Sequence, residues 1–398
     1  MLPSGRSLLQ VGAWAKSWHM GAREATTQPG QSGSVPQSED CDVFVVAAKE
    51  LEAFLIAAFK GYGATDGEAK AVSEHLVTAN LTGHDSHGVL RAPWYMEKIA
   101  KKELLPGAPI TVENETPSSA IINGHWGFGQ PPCLKAMELC LEKAQNQVIA
   151  CVTVRNANHV GRIGAYTEMA AERGMVGMGG ANLHGTSDCV APFGGIDRRL
   201  PTNPMSIAFP SDRVPSFLLD MTTSIVAEGK LQLRRNRGEK APEGWIIDHA
   251  GNPTDDPWAF YNDPKGALMP VGGSVGYKGY GLSMAMDGLS GGLSDSLCSS
   301  PEGKRHGNAC WFIAIRIDAF APLDRFTTNI GRLFNHVKSS RPAPGVDEVL
   351  VPGEPEHRSR QKREIEGLPL DDRTWAWLGE MAGKVGVTYT GSVTEVKS

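Results

Sequence analysis

Apolar residues recur at helical spacing from Val43 to Phe59, and Thr65 or Asp66 can cap a second helix with Val72, Leu76 and Ala79 on one face. The pattern changes after Pro106. Ala120 to Asn123 reads as a short strand, Pro132 to Gln145 as a helix with Leu134, Met137, Leu141 and Ala144 inward, and Val148 to Val154 as a buried strand. The segment IACVTVRNANHVGRIGAYTEMAAERGMVGMGGANL reads as strand, loop, helix and strand, with Gly174 where the helix ends. Pro204 to Phe209 and Phe217 to Met221 read as paired strands about a Pro-Ser-Asp-Arg turn. Met269 to Leu293 is a glycine-rich loop entering a helix, and a late strand, Cys310 to Ile317, precedes helical segments to about Val385.

Helices at both ends and strands in the middle predict a mixed α/β architecture: a mixed-sheet domain and a helical subdomain built from both termini. The expected boundaries are a leader and flexible linker over 1–40, a helical subdomain over 41–115 with 325–390 packing back on it, and the mixed sheet over 116–324. Residues 26–40 are rich in Gln, Gly, Ser and Pro, as linkers are. The first 23 residues hold Arg6, Lys16 and Arg23 but no acid, as in mitochondrial transit peptides; a disordered leader fits the same composition.

A net charge of −5 over 398 residues, with its cations dispersed, offers no footprint for nucleic acid and favours a small-molecule partner. No apolar run approaches the roughly 20 residues that span a bilayer. Seven cysteines without a Cys-x-x-Cys pair fit reduced thiols of an intracellular protein, cytoplasmic or mitochondrial, better than a disulfide framework.

The densest chemistry lies in LTGHDSHGVLRAPWY, residues 81–95. Asp85 or Ser86 can cap a helix there, which sets His87 in its first turn and Arg91 and Tyr95 along the same face. Arginine grips a carboxylate through two hydrogen bonds, and an imidazole exchanges protons near neutral pH, so the stretch suits a carboxylic acid beside an acid/base. On pattern alone, a capped and solvated helix start explains the same residues. His84 and His87 lack a third ligand of recognisable spacing, and no metal is expected. His159 occupies a loop between a strand and a helix, where a pocket residue or a histidine bonded to its own backbone would both fit. No Gly-x-Gly-x-x-Gly or P-loop motif is present; the glycine-rich run from Gly272 to Gly281, with Lys278, is the remaining candidate phosphate loop.

Together, HDSHGVLRAPWY, VRNANHVGRIGAY, LPTNPMSIAFP, LLDMTTSIVAEGK and GYKGYGLSMAMDGLSGGLS resemble, in this order, the type 2 malate/L-lactate dehydrogenase family, over roughly residues 43–390. The resemblance implies a homodimer with its active site at the subunit interface and a non-Rossmann domain for NAD or NADP. It also implies interconversion of a 2-hydroxy acid and a 2-oxo acid by hydride transfer. Carried over, Ser86, His87, Arg91 and His159 are catalytic, either histidine being the proton donor, and Arg91, Tyr95, Thr202 and Asn203 meet substrate. Phe217, Leu218, Asp220, Met221, Thr222, Tyr277, Lys278, Gly279, Gly353 and Glu354 would meet the cofactor. Pro201 and Leu183 depart from the family pattern beside the site. A cyclic imino-acid reductase, or a catalytically silent dimeric relative, are the alternatives.

Overall fold

The computed structural model describes residues 43–185, 188–300 and 305–396; the expected leader lies outside them. The chain runs β1 (Val43–Val46), α1 (Ala48–Gly61), α2 (Asp66–Leu81), α3 (Ala92–Ala100), β2 (Thr111–Glu113), β3 (Ser119–Asn123), α4 (Gln130–Gln147), β4 (Ile149–Ala157), α5 (Gly164–Glu172) and β5 (Met175–His184). It continues through β6 (Met205–Phe209), β7 (Phe217–Met221), α6 (Glu228–Asn236), β8 (Ile246–Ile247), β9 (Pro253–Thr254), α7 (Trp258–Tyr261), β10 (Ala267–Leu268) and α8 (Tyr277–Asp287). The last elements are β11 (Gly307–Arg316), α9 (Leu323–Lys338), α10 (Glu354–Glu366), β12 (Leu368–Asp371), α11 (Asp372–Gly383) and β13 (Val393–Val396).

The central sheet has the order β2-β3-β4-β11-β5-β6-β7. Only β3 and β4 pair in parallel; every other neighbour is antiparallel, so this is a mixed sheet and not a doubly wound parallel one. Helices α4 and α5 cover one face, where Met137, Leu141, Tyr166 and Ala170 meet Val152, Val154 and Phe312 in a buried cluster. A small sheet, β10-β8-β9, encloses its own core of Val190, Leu231, Ile246 and Leu268.

A separate core unites Leu51, Leu55 and Phe59 of α1, Val72 and Leu76 of α2, and Tyr95 and Met96 of α3 with Leu378 and Met381 of α11. Thr65 caps α2 through a capping box with Glu68. The chain start departs from the helix expected from Val43. Val43–Val46 is a strand between β12 and β13, because four β-forming residues find partners more than 300 positions away. The C-terminal return onto these helices begins at α10, which packs on α2; α9 lies instead against the β6–β7 hairpin, where Phe326 meets Phe209 edge-on.

Candidate active site

Between α2 and α3 the chain makes two tight turns, Asp85–His87 and Val89–Arg91. Neither Asp85 nor Ser86 caps a helix, contrary to the spacing argument. The Asp85 carboxylate accepts from Asn80 Nδ2 at 2.7 Å and from Arg363 of α10 at 2.6 and 3.0 Å. Ser86 Oγ lies 3.0 Å from His87 Nδ1, and Arg91 Nε donates to the Ser86 carbonyl at 2.7 Å. One edge of the guanidinium thus holds the turn, while its terminal nitrogens make no protein hydrogen bond among the described residues.

His159 arrives from the loop after β4. Gln130 Nε2 donates to the Tyr95 hydroxyl at 3.0 Å, and the same hydroxyl lies 2.5 Å from His159 Nδ1, which fixes the imidazole ring in place. The rings of His87 and His159 stack at 5.5 Å and 16°. Both line a cavity of about 240 Å³ with Arg91, Trp94, Thr202 and Asn203. The expected catalytic and substrate-contacting residues therefore meet: Ser86 and Tyr95 stand behind the two imidazoles, and the others form the wall.

Burial, with Arg91 second, pushes His87 down to about 3. Burial and His87 hold His159 well below the ordinary histidine range. Both are neutral at pH 7, each with a ring nitrogen lone pair able to accept a proton, although the guanidinium weakens His87 as a base. An anion bound at Arg91 would offset that positive charge and raise the affinity of His87 for a proton.

The wall is braced by amides. Thr223 Oγ1 donates to the carbonyls of Thr202 and Asn203, both at 3.0 Å, and Asn203 Nδ2 donates to the Ser283 carbonyl at 3.0 Å. Asn182 Nδ2 donates to Asp287 at 2.8 Å, and Asn308 joins the Asn182 carbonyl to the Val160 N–H. Leu183 and Pro201, the departures from the family pattern, line the same cavity.

Of the expected cofactor residues, Phe217, Leu218 and Gly353 line a second cavity of about 350 Å³, shared with Glu168, Glu356 and Arg360. Gly353 has φ +99°, and a Cβ there would lie 2.7 Å from the Ser216 carbonyl, so β7 and this late loop approach only through glycine. Asp220 and Glu354 do not offer free side chains. Asp220 binds the Gly164 N–H at 2.9 Å and the buried Arg162 at 3.3 Å, and Glu354 pairs with Lys338 at 2.6 Å. Met221 sits in the ladder opposite Met205, and Thr222 Oγ1 donates to the Ser224 carbonyl. Tyr277, Lys278 and Gly279 open α8 and line neither cavity of this chain. His84 pairs with Glu356 at 3.2 Å. Sequence reasoning missed Trp94, Glu228, Gly229 and Asn308 in the histidine cavity. The Ala-Glu-Gly-Lys run carried a signal for two of them.

The profile of the family described as malate/L-lactate dehydrogenase matches residues 46–379. The chain is 38% identical over 346 residues to a malate dehydrogenase of Pyrococcus abyssi, covering 85% of this chain and 94% of the relative. It is 35% identical over 339 residues to an L-sulfolactate dehydrogenase of Methanocaldococcus jannaschii, covering 84% and 95%. The crystal structure of malate dehydrogenase from Entamoeba histolytica superposes with a TM-score of 0.81 at 29% identity, over 88% of this chain and 99% of that one.

Proposed function

Because the chain belongs to the malate/L-lactate dehydrogenase family and is therefore an oxidoreductase of 2-hydroxy acids, we propose that it interconverts a 2-hydroxy acid and its 2-oxo acid with NAD or NADP. The observation that carries this reading is the stacked His87–His159 pair beside Arg91 in one cavity.

Arg91 binds the substrate carboxylate and fixes which face of the carbonyl is presented. His87, oriented by Ser86, takes the hydroxyl proton in oxidation and returns it in reduction. His159, held in place by Tyr95, donates a hydrogen bond to the same oxygen. Thr202 and Asn203 complete the cavity wall.

The nicotinamide group, when bound, supplies and accepts the hydride. The second cavity supports a cofactor site: Arg360 on its wall suits a phosphate. The segment 160–168 walls both cavities, Val160 and Gly161 on the histidine side and Ala165 and Glu168 on the other. A second subunit is part of this reading. Tyr277, Lys278 and Gly279 would then act from the partner chain, consistent with the exposure of Tyr277 and Lys278 at the start of α8, where Gly279 itself is buried.

The test is loss of NADH and NADPH absorbance against a panel of 2-oxo acids, with cyclic imino acids alongside. His87→Ala should lower kcat by about 10²–10⁴-fold while cofactor binding, read by fluorescence titration, persists. Arg91→Lys should raise KM more than it lowers kcat. Wild-type turnover in both His87→Ala and His159→Ala would sink the assignment.

A further inference from the structure

Only two lining residues of the histidine cavity carry a full charge at pH 7 among those described: Arg91 and Glu228. Glu228 opens α6, whose next residue, Gly229, lies against the clamp. A Cβ at Gly229 would sit 2.8 Å from Ser86 Cβ and 3.4 Å from Arg91 Nη2. Glu228 and Arg91 thus share the wall of one small cavity, with no direct ion pair joining the two.

Glu228 is also fixed in place. Tyr261 donates to its Oε1 at 2.7 Å, and the Tyr261 ring packs under the Arg235 guanidinium at 4.1 Å and edge-on to Phe260 at 5.0 Å. Burial and then Glu228 push the Cys189 thiol, another wall residue, up to about 12.

Resting on the assignment of this cavity to a 2-oxo acid, we infer that Glu228 sets the substrate class: a single carboxylate at Arg91 and a tail that donates hydrogen bonds, with a second anionic group rejected. One guanidinium satisfies one carboxylate. A second carboxylate or sulfonate two or three bonds along would share a small, poorly screened cavity with the Glu228 carboxylate. A hydroxyl or ammonium in that place would find an acceptor.

The experiment compares kcat/KM for hydroxypyruvate, pyruvate, oxaloacetate and 3-sulfopyruvate in the wild type, Glu228→Gln, Glu228→Arg and Tyr261→Phe. The wild type should prefer hydroxypyruvate to pyruvate and both to the two dianions. Glu228→Gln should raise the oxaloacetate-to-pyruvate ratio by about tenfold or more, Glu228→Arg further, and Tyr261→Phe less. Each ratio is internal to one preparation, so partial misfolding does not distort it. A wild type that prefers the dianions, or a ratio that stays put in Glu228→Gln, overturns the inference and leaves the reaction standing. A chain that turns over none of the four loses the reaction and this inference together.

Discussion

Histidines decide how this molecule responds to acid. His75 is buried, accepts the Arg162 N–H through Nε2 at 2.8 Å, and is pushed down to about 3 by burial and by Arg162. Unfolded, it takes up a proton near pH 6.5; folded, it stays neutral far below that. Between the two values the unfolded state holds the extra proton. Stability is thus complete above pH 6.5 and falls as pH drops toward 3, by up to about 1.4 kcal/mol per unit for one such group. His87 and His159 add slopes of the same sign. His75→Gln keeps an acceptor for Arg162 and should flatten part of the decline, which urea unfolding at pH 7.5 and 5.0 would show; an unchanged slope would mean that His75 titrates normally. In the sequence, His87, Arg91 and His159 stood out through the family resemblance of their motifs, since on pattern alone a solvated helix start and a loop histidine bonded to its own backbone fitted equally; the fold is what brings the three to one cavity. Glu228 was not legible, since a glutamate at a helix start is ordinary until the fold sets it on the wall of the cavity that Arg91 also lines.

At the scale of elements, hydrophobic periodicity located α2, α4, α5, β4, β6 and β7 well because each buries one regular face. It failed where distant partners overrule local pattern. Val43–Val46 became a strand only because β12 and β13 flank it, and the turns before α3 are shaped by Asn80 and Arg363. Arg363 ties α10 to the turn that carries Ser86 and His87, through two bonds to Asp85 and one to the Asn80 carbonyl. Arg363→Ala should cost about 1.5–3 kcal/mol of unfolding free energy, the range for hydrogen bonds to charged groups. It should also lower kcat/KM although it touches no ligand. Chemical denaturation beside steady-state assay checks both; full activity at reduced stability would show that the turn holds its shape unaided.

The whole molecule presents an apolar surface along α8 and the turn after it. Tyr277 is 52% exposed, Met284 53% and Leu293 53%, with Leu282 and Leu289 close by. Contiguous exposure of this kind marks a contact surface. The expected homodimer would cover it, and sedimentation should return twice the chain mass for the wild type. Met284→Glu should shift that mass toward one chain and reduce activity with it; a variant that stays dimeric would place the subunit contact elsewhere. In the small terminal sheet, Val43 is opposed to Val396 in adjacent antiparallel strands. Neighbouring Cα atoms in such a pair lie about 4.5–5.5 Å apart, so a linker of a few residues would join them into a ring. Residues 341–347 are exposed throughout. A gene opened there and closed at Val43 and Val396 would synthesise the elements in a new order and still offer each strand its present neighbours, so that architecture and order of synthesis become separable properties of this chain.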